Sequence, residues 1–254
     1  MPLSLPGAPK AVAAALESLA VALRTEAGSD FAGLVLCGGL ARGRFREGRS
    51  DVNVVVLLHR AGVGVLNRIG PALRNARRAA AVEAMLLTPA EVPVASFEFP
   101  TKFLDIKRHH IVLAGEDPFA ALEVPRVMVQ LRIAQSLRNL LLRLRRRYAV
   151  AYDDAQALKD TLLDVARPLA IELLAMLYDG GHAVPEDDRT SAVFAAAATA
   201  FGLDGDSLAR LAALRAEPAK DNGKIDAAAA LYGRILEMLA ALADRADALA
   251  GAAQ

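Results

Sequence analysis

A loop rich in glycine and arginine contains the residues of this chain whose types could bind an anion. Gly38-Gly39 begins the loop, and Arg42 and Arg44 follow within it. Glycine has no side chain to keep a phosphate group away from the backbone amides, and a guanidinium group supplies positive charge. We therefore expect phosphate binding at Gly38, Gly39, Arg42 and Arg44.

Two apolar runs must position this loop. Phe31–Cys37 precedes it, and a second run begins with Asp51 and continues through Val54–Leu58. Both have the composition of buried strands. Asp51 and Asn53 point to the same face of the second strand, because side chains of a strand alternate.

This arrangement resembles the signature of the nucleotidyltransferase fold, the superfamily of polymerase-β-like enzymes and aminoglycoside adenylyltransferases. The resemblance is carried by Gly-Gly-x-Ala-Arg-Gly at 38–43 and Ser-Asp-x-Asn at 50–53, within the region Phe31 to Pro118. It implies transfer of a nucleoside monophosphate from a triphosphate, with two divalent metals about 3.5–4 Å apart.

The resemblance also implies roles for individual residues. Glu83 lies between Val82 and Ala84 in a third apolar run, Ala80–Leu87, where the family has its third acid. The catalytic residues would then be Asp51 and Glu83. Mg²⁺ would be bound by these two acids together with Asn53. Ser50 would bind the triphosphate together with the loop.

Asn53 departs from the family pattern, which has a second acid at this position. An amide oxygen can bind a metal, but it brings no negative charge. Loss of one strong electrostatic stabiliser costs a few kcal/mol, on the order of a hundredfold or more in rate. We therefore predict a protein that binds a nucleoside triphosphate at Gly38-Gly39 beside a weakened Mg²⁺ site, with weak or lost nucleotidyl transfer.

Two alternative functions remain open from the sequence. The arginine-rich loop is intact, so the chain could be an active metal-dependent nucleotidyltransferase that modifies a hydroxyl or an amine of a small molecule. Alternatively, it could be an interaction or regulatory protein that acts through a helical bundle, as in bacterial nucleotidyltransferase-like proteins that pair with helical toxin-type proteins.

The sequence changes character at Pro125. Before it, strand and helix patterns alternate, which predicts an α+β fold class with a mixed sheet in an N-terminal nucleotidyltransferase-like domain, residues 1–124. After it, alanine- and leucine-rich segments have helical periodicity, with breaks at Gly180-Gly181, Gly202–Gly205 and Pro218–Gly223. Short links between helices favour a bundle, so we predict an all-helical domain over residues 125–254.

Two local patterns in the first domain predict structural roles. Thr88-Pro89-Ala90-Glu91 has the residues of a helix start, with Thr88 and Glu91 able to form a capping box. His109 and His110 are adjacent, and adjacent strand residues point to opposite faces, so we expect structural histidines and no shared metal ion.

Composition limits the class of partner. The chain has 254 residues and is 54% hydrophobic, so it can bury a sizeable core. Its formal net charge is only +1, so it has no global attraction to nucleic acid or membranes.

The single Cys37 excludes a disulfide framework and fits a buried thiol. Met1–Lys10 lacks a signal-peptide pattern, and no run reaches the ~20 apolar residues of a membrane span.

From these observations we expect a cytoplasmic protein. Its expected partners are a nucleoside triphosphate and a small-molecule acceptor, and neither a membrane nor a nucleic acid is expected among them. The sequence leaves the oligomeric state open.

Overall fold

A computed structural model describes residues 5, 7–45, 47–48, 50–186, 189–214 and 225–252. The chain divides into two compact units, Met1–Val124 and Pro125–Gln254. The first unit is mixed α and β, and the described residues of the second are helical, which confirms the predicted fold class. That each unit is a domain able to fold by itself stays a prediction.

The first unit alternates helices with strands. In chain order they are α1 (Lys10–Ala27), β1 (Phe31–Cys37), α2 (Gly38–Ala41), β2 (Val52–Leu58), α3 (Val63–Ala80), β3 (Val82–Leu87), α4 (Glu91–Glu98), α5 (Pro100–Arg108) and β4 (Ile111–Gly115). The strands form one sheet in the order β3-β2-β1-β4. Because β1 is antiparallel to β2 and β4 while β2 is parallel to β3, the sheet is mixed, as predicted.

Alternating side chains give the sheet two apolar faces. Val56 of β2 belongs to a core that also contains Leu16 of α1, whereas Val55 belongs to the opposite core with Phe103 of α5. Since side chains alternate along a strand, Asn53 lies on the face of Val55. The sheet thus directs Asn53 away from the core formed with α1.

The start of β3 differs from the sequence prediction. The strand begins at Val82 instead of Ala80, because α3 continues through Ala80. Ala81 then turns the chain with a φ of +49°, in the left-handed region. A residue in that region cannot continue a strand, so the extended conformation begins after it.

The predicted capping box at the start of α4 is confirmed. The backbone N–H of Thr88 donates to Glu91 Oε2 at 2.7 Å, and the Glu91 N–H donates to Thr88 Oγ1 at 3.3 Å. The Thr88 N–H and the Thr88 hydroxyl, which donates to Glu91 Oε2 at 3.0 Å, lower the pKa of the Glu91 carboxyl. The two side chains thus accept hydrogen bonds from each other's backbone amides, which is the pattern of a capping box.

The second unit consists, in its described residues, of helices. They are α6 (Arg126–Ala151), α7 (Ala155–Asp179), α8 (Thr190–Phe201), α9 (Gly205–Ala213) and α10 (Ile225–Ala252). The predicted breaks at 180–181 and 202–205 coincide with helix ends, and the break predicted at 218–223 lies outside the described residues. None of the helices in the described ranges is long and apolar enough to cross a membrane.

Candidate functional site

The loop after β1 begins in a conformation that favours glycine. Gly38 has a φ of +73°, and a Cβ added there would lie 3.1 Å from Asn53 Nδ2. Gly39 follows in the first turn of α2, where its carbonyl accepts a hydrogen bond from the Arg44 N–H at 2.8 Å. The first amides of a helix have no intrahelical partner, so this loop start has the chemistry of an anion site.

The structure brings three of the predicted site positions to one end of the sheet. Asn53 of β2 and Glu83 of β3 are partners in the parallel register, on strands that lie about 4.8 Å apart. Gly38 lies against the Asn53 side chain. Asp51 directly precedes β2, outside the strand, and is exposed.

The predicted metal ligands include one neutral side chain and one carboxylate that already has a cationic partner. Asn53 is neutral, and Glu83 Oε1 lies 3.0 Å from Arg77 Nη2 in a pair whose side chains are 45% and 70% exposed, respectively. Among the residues that the structure describes, no three His, Cys, Asp or Glu side chains are grouped closely enough to hold a metal ion. The weakened Mg²⁺ site therefore stays a prediction.

The predicted phosphate-binding arginines have different surroundings. The Arg42 guanidinium forms an ion pair with Asp105 of α5, and its side chain is only 18% exposed. This pair ties the loop to α5. Arg44 and Ser50 are half-buried, and Ser50 stands directly before Asp51. The ligand-binding roles of these three side chains stay predictions.

Helix α5 adds charged groups that the sequence prediction did not place at the site. Burial lowers the pKa of the His109 imidazole, the charges of Arg42, Arg44 and Arg108 act in the same direction, and Asp105 opposes them. The charges of Asp105, Arg42, Arg44 and Arg108 therefore all act on His109, and Arg42 and Asp105 form an ion pair. The alternating charges of segment 105–109 are visible in the sequence, but only tertiary packing brings them to the loop.

Cys37 has the structural role that the sequence predicted. The strand placement predicted for His109 and His110 was wrong, since both lie between α5 and β4, but His110 has structural contacts. Burial raises the pKa of the Cys37 thiol to about 11, which keeps it protonated near neutral pH. His110 Nδ1 lies 2.8 Å from the carbonyl oxygen of Ile106, and its Nε2 lies 3.0 Å from the Asp117 carboxylate. These contacts account for both ring nitrogens of His110.

A solved structure shares this arrangement of strands and helices. It is the crystal structure of spectinomycin adenyltransferase AAD(9) from Enterococcus faecialis with ATP and spectinomycin, which matches with a TM-score of 0.50 over 88% of this chain and 98% of that chain. This chain has the nucleotidyltransferase fold. The identity between the two sequences is 14%, so the likeness shows the fold alone.

The nucleotidyltransferase fold is the one that the loop and strand motifs predicted. No protein-family model matches the chain, and no curated protein matches it.

Proposed function

We propose that this chain is a nucleotidyltransferase-fold protein that binds a nucleoside triphosphate at Gly38-Gly39 and has weak or lost nucleotidyl transfer. The observation that carries the proposal is the close approach of Gly38 to Asn53. The loop suited to phosphate lies directly against the position where the family's acid is absent. The solved neighbour was crystallised with ATP, which supports a triphosphate as the ligand.

Recognition of the triphosphate relies first on the backbone. The amides of Gly38 and Gly39 are accessible to phosphate because neither residue has a side chain. Arg44 supplies positive charge at the end of the loop. Arg42 contributes less in this proposal, because a phosphate would compete with the Asp105 carboxylate for its guanidinium.

Weak transfer follows from the charges at positions 51, 53 and 83. The ion pair of Glu83 with Arg77 is largely exposed, and such pairs contribute under about 1 kcal/mol. Arg77 therefore does not prevent Glu83 from turning toward another cation. The neutral side chain of Asn53 is the larger defect, because no rotation of a side chain restores the missing charge.

An active transferase is the second candidate function. The solved neighbour contains spectinomycin together with ATP, which favours a small-molecule acceptor with a reactive hydroxyl or amine. Asp51 and Glu83 would then be the catalytic acids despite Asn53. A role as an interaction or regulatory protein, acting through the helical unit, stays a prediction.

Titration calorimetry with each common nucleoside triphosphate, with and without Mg²⁺, tests the binding site. Gly39→Ala is the informative variant, because a Cβ at this position lies 3.7 Å from the nearest atom, the Arg44 carbonyl oxygen, and does not strain the fold. The added methyl group should hold phosphate away and weaken binding roughly tenfold, or about 1.4 kcal/mol.

Gly64→Ala is the matched control, since a Cβ there meets nothing within 4 Å and the position lies outside the loop. Its triphosphate affinity should equal that of the wild type. If the wild type shows no saturable binding of any triphosphate at millimolar concentration, triphosphate recognition at this loop is refuted.

Asn53→Asp tests the proposed loss of transfer. The change is nearly isosteric and adds a negative charge beside Asp51. We expect stronger Mg²⁺- or Mn²⁺-dependent triphosphate binding and a rise in pyrophosphate release with spectinomycin and aminoglycoside acceptors, roughly a hundredfold or more. Asn75→Asp adds the same charge at an exposed position of α3 and should change neither.

Two different outcomes of the Asn53→Asp test contradict the proposed loss of transfer. Wild-type turnover equal to that of Asn53→Asp would favour the active transferase. Unchanged metal binding in Asn53→Asp would show that Asp51, Asn53 and Glu83 do not converge on one ion.

A further inference from the structure

The helical unit contains a cavity that the proposed triphosphate site does not use. Its volume is about 150 Å³, and its walls come from α6, α7, α8, α10 and the turn after α7. Much of the lining is apolar, contributed by Ile133, Met176, Phe201, Ala246 and Leu249. An apolar cavity of this volume accommodates one six-membered ring.

The carboxylate at this cavity already has hydrogen-bond donors. Asp179, at the end of α7, accepts from Arg126 Nε at 2.8 Å on one oxygen and from Gln130 Nε2 at 2.9 Å on the other. Arg126 Nη2 also donates to the Asp179 backbone carbonyl at 2.7 Å. Because both carboxylate oxygens are engaged and the Asp179 side chain is only 10% exposed, the cavity does not favour a cationic ligand.

Arg245 is a cationic group of the cavity without an acidic partner among the described residues. Its Cζ lies 5.2 Å from the centre of the Phe201 ring. Asp244 and Asp247, its neighbours on α10, are ion-paired with Arg138 instead. A cation–π contact is an attraction between the charge and the ring, so N–H groups of the guanidinium remain able to donate.

The positive charges at this cavity exceed the negative ones. Arg126 and Arg245 are two guanidinium groups beside the one carboxylate of Asp179. His182 packs edge-on against Phe201, at 5.1 Å between ring centres, and adds a further nitrogen donor. An apolar cavity with excess cationic donors selects a ligand that has an apolar body and an anionic end.

We propose that this cavity binds a small organic carboxylate. The apolar body, one ring or a short alkyl chain, lies between Ile133, Met176 and Ala246. The carboxylate accepts hydrogen bonds from the Arg245 guanidinium, which presents parallel N–H groups to a carboxylate. This site is separate from the triphosphate site, since none of its lining residues belongs to the loop 38–44.

Benzoate, hexanoate and neutral benzyl alcohol are the probes that test this proposal on the full-length chain. Titration followed by ligand-observed NMR should show saturable binding of both carboxylates and at least tenfold weaker binding of benzyl alcohol. Arg245→Gln should weaken benzoate at least tenfold and leave benzyl alcohol unchanged, because it removes the cation and keeps the apolar wall.

Two further variants complete the design. Arg210→Gln changes an exposed arginine of α9 outside the cavity and should leave every affinity unchanged. Ala246→Leu enlarges a buried side chain of the wall and should abolish binding of all three probes. Circular dichroism establishes that each variant is folded, and if Ala246→Leu does not fold, Arg245→Gln alone decides the outcome.

The proposal is overturned if neither carboxylate binds saturably. It is also overturned if benzoate and benzyl alcohol bind equally, or if Arg245→Gln leaves benzoate affinity unchanged. Triphosphate binding by the Arg245→Gln variant should equal that of the wild type, so failure of either proposal can be read separately from the other.

Discussion

Glu172 makes the stability of this protein depend on pH. Glu172 is on α7, where burial raises the pKa of its carboxyl to about 7. A hydrogen bond from Ser136 and the charge of Arg132 both lower this pKa, but their effect is smaller than that of burial. Because this value exceeds the ordinary 4.5, the folded chain binds the proton more tightly than the unfolded chain. The stabilising contribution is complete below pH 4.5 and is lost as pH rises through about 7.

The Glu172→Gln substitution removes this dependence while it keeps the shape of the side chain and an oxygen acceptor for Ser136. The pKa difference from 4.5 to about 7 corresponds to on the order of 3 kcal/mol. The variant should therefore exceed the wild type in free energy of unfolding by that amount at about pH 8 and equal it at about pH 4. The matching gap in Tm at high pH is roughly 6–12 °C.

Thermal unfolding followed by circular dichroism, across a series of buffers from about pH 4 to pH 8, measures this gap. Glu237→Gln, at an exposed glutamate of α10, is the control for the exchange of a carboxyl for an amide in the same unit. A gap for Glu172→Gln that is the same at every pH would refute the reasoning. A variant less stable than the wild type at high pH would show that the ionised carboxylate is stabilising.

Two substitutions test packing in the separate units. Gly115→Ala should destabilise the first unit by on the order of 3 kcal/mol or more, because Gly115 has a φ of +78° and a Cβ there would lie 2.6 Å from Gly33 Cα. An unchanged urea midpoint would contradict this. Tyr232→Phe should cost about 1 kcal/mol, since the buried Tyr232 hydroxyl donates to the Leu144 carbonyl at 2.8 Å. The same urea titration measures the loss, and a wild-type midpoint would show that the hydroxyl is dispensable.

The sequence by itself determined the elements whose interactions are local. β1 has the predicted bounds Phe31–Cys37, because a continuous apolar run ending at a glycine pair specifies a buried strand. The capping box at Thr88 and the helix ends at 180–181 and 202–205 were predicted for the same reason. Side-chain oxygens and glycine act on backbone groups within a few residues, so a short stretch of sequence contains the information.

Only the tertiary structure decided which distant residues meet. The parallel register places Asn53 beside Glu83, and the packing of α5 gives Arg42 an acidic partner in Asp105. The cavity beside Arg245 likewise requires side chains from separate helices. These contacts join residues far apart in the chain, and they depend on strand order and helix packing, which no local periodicity encodes. The family resemblance had already implied that Glu83 is near Asn53, whereas the ion pair of Arg42 with Asp105 and the cavity beside Arg245 were not readable from the sequence.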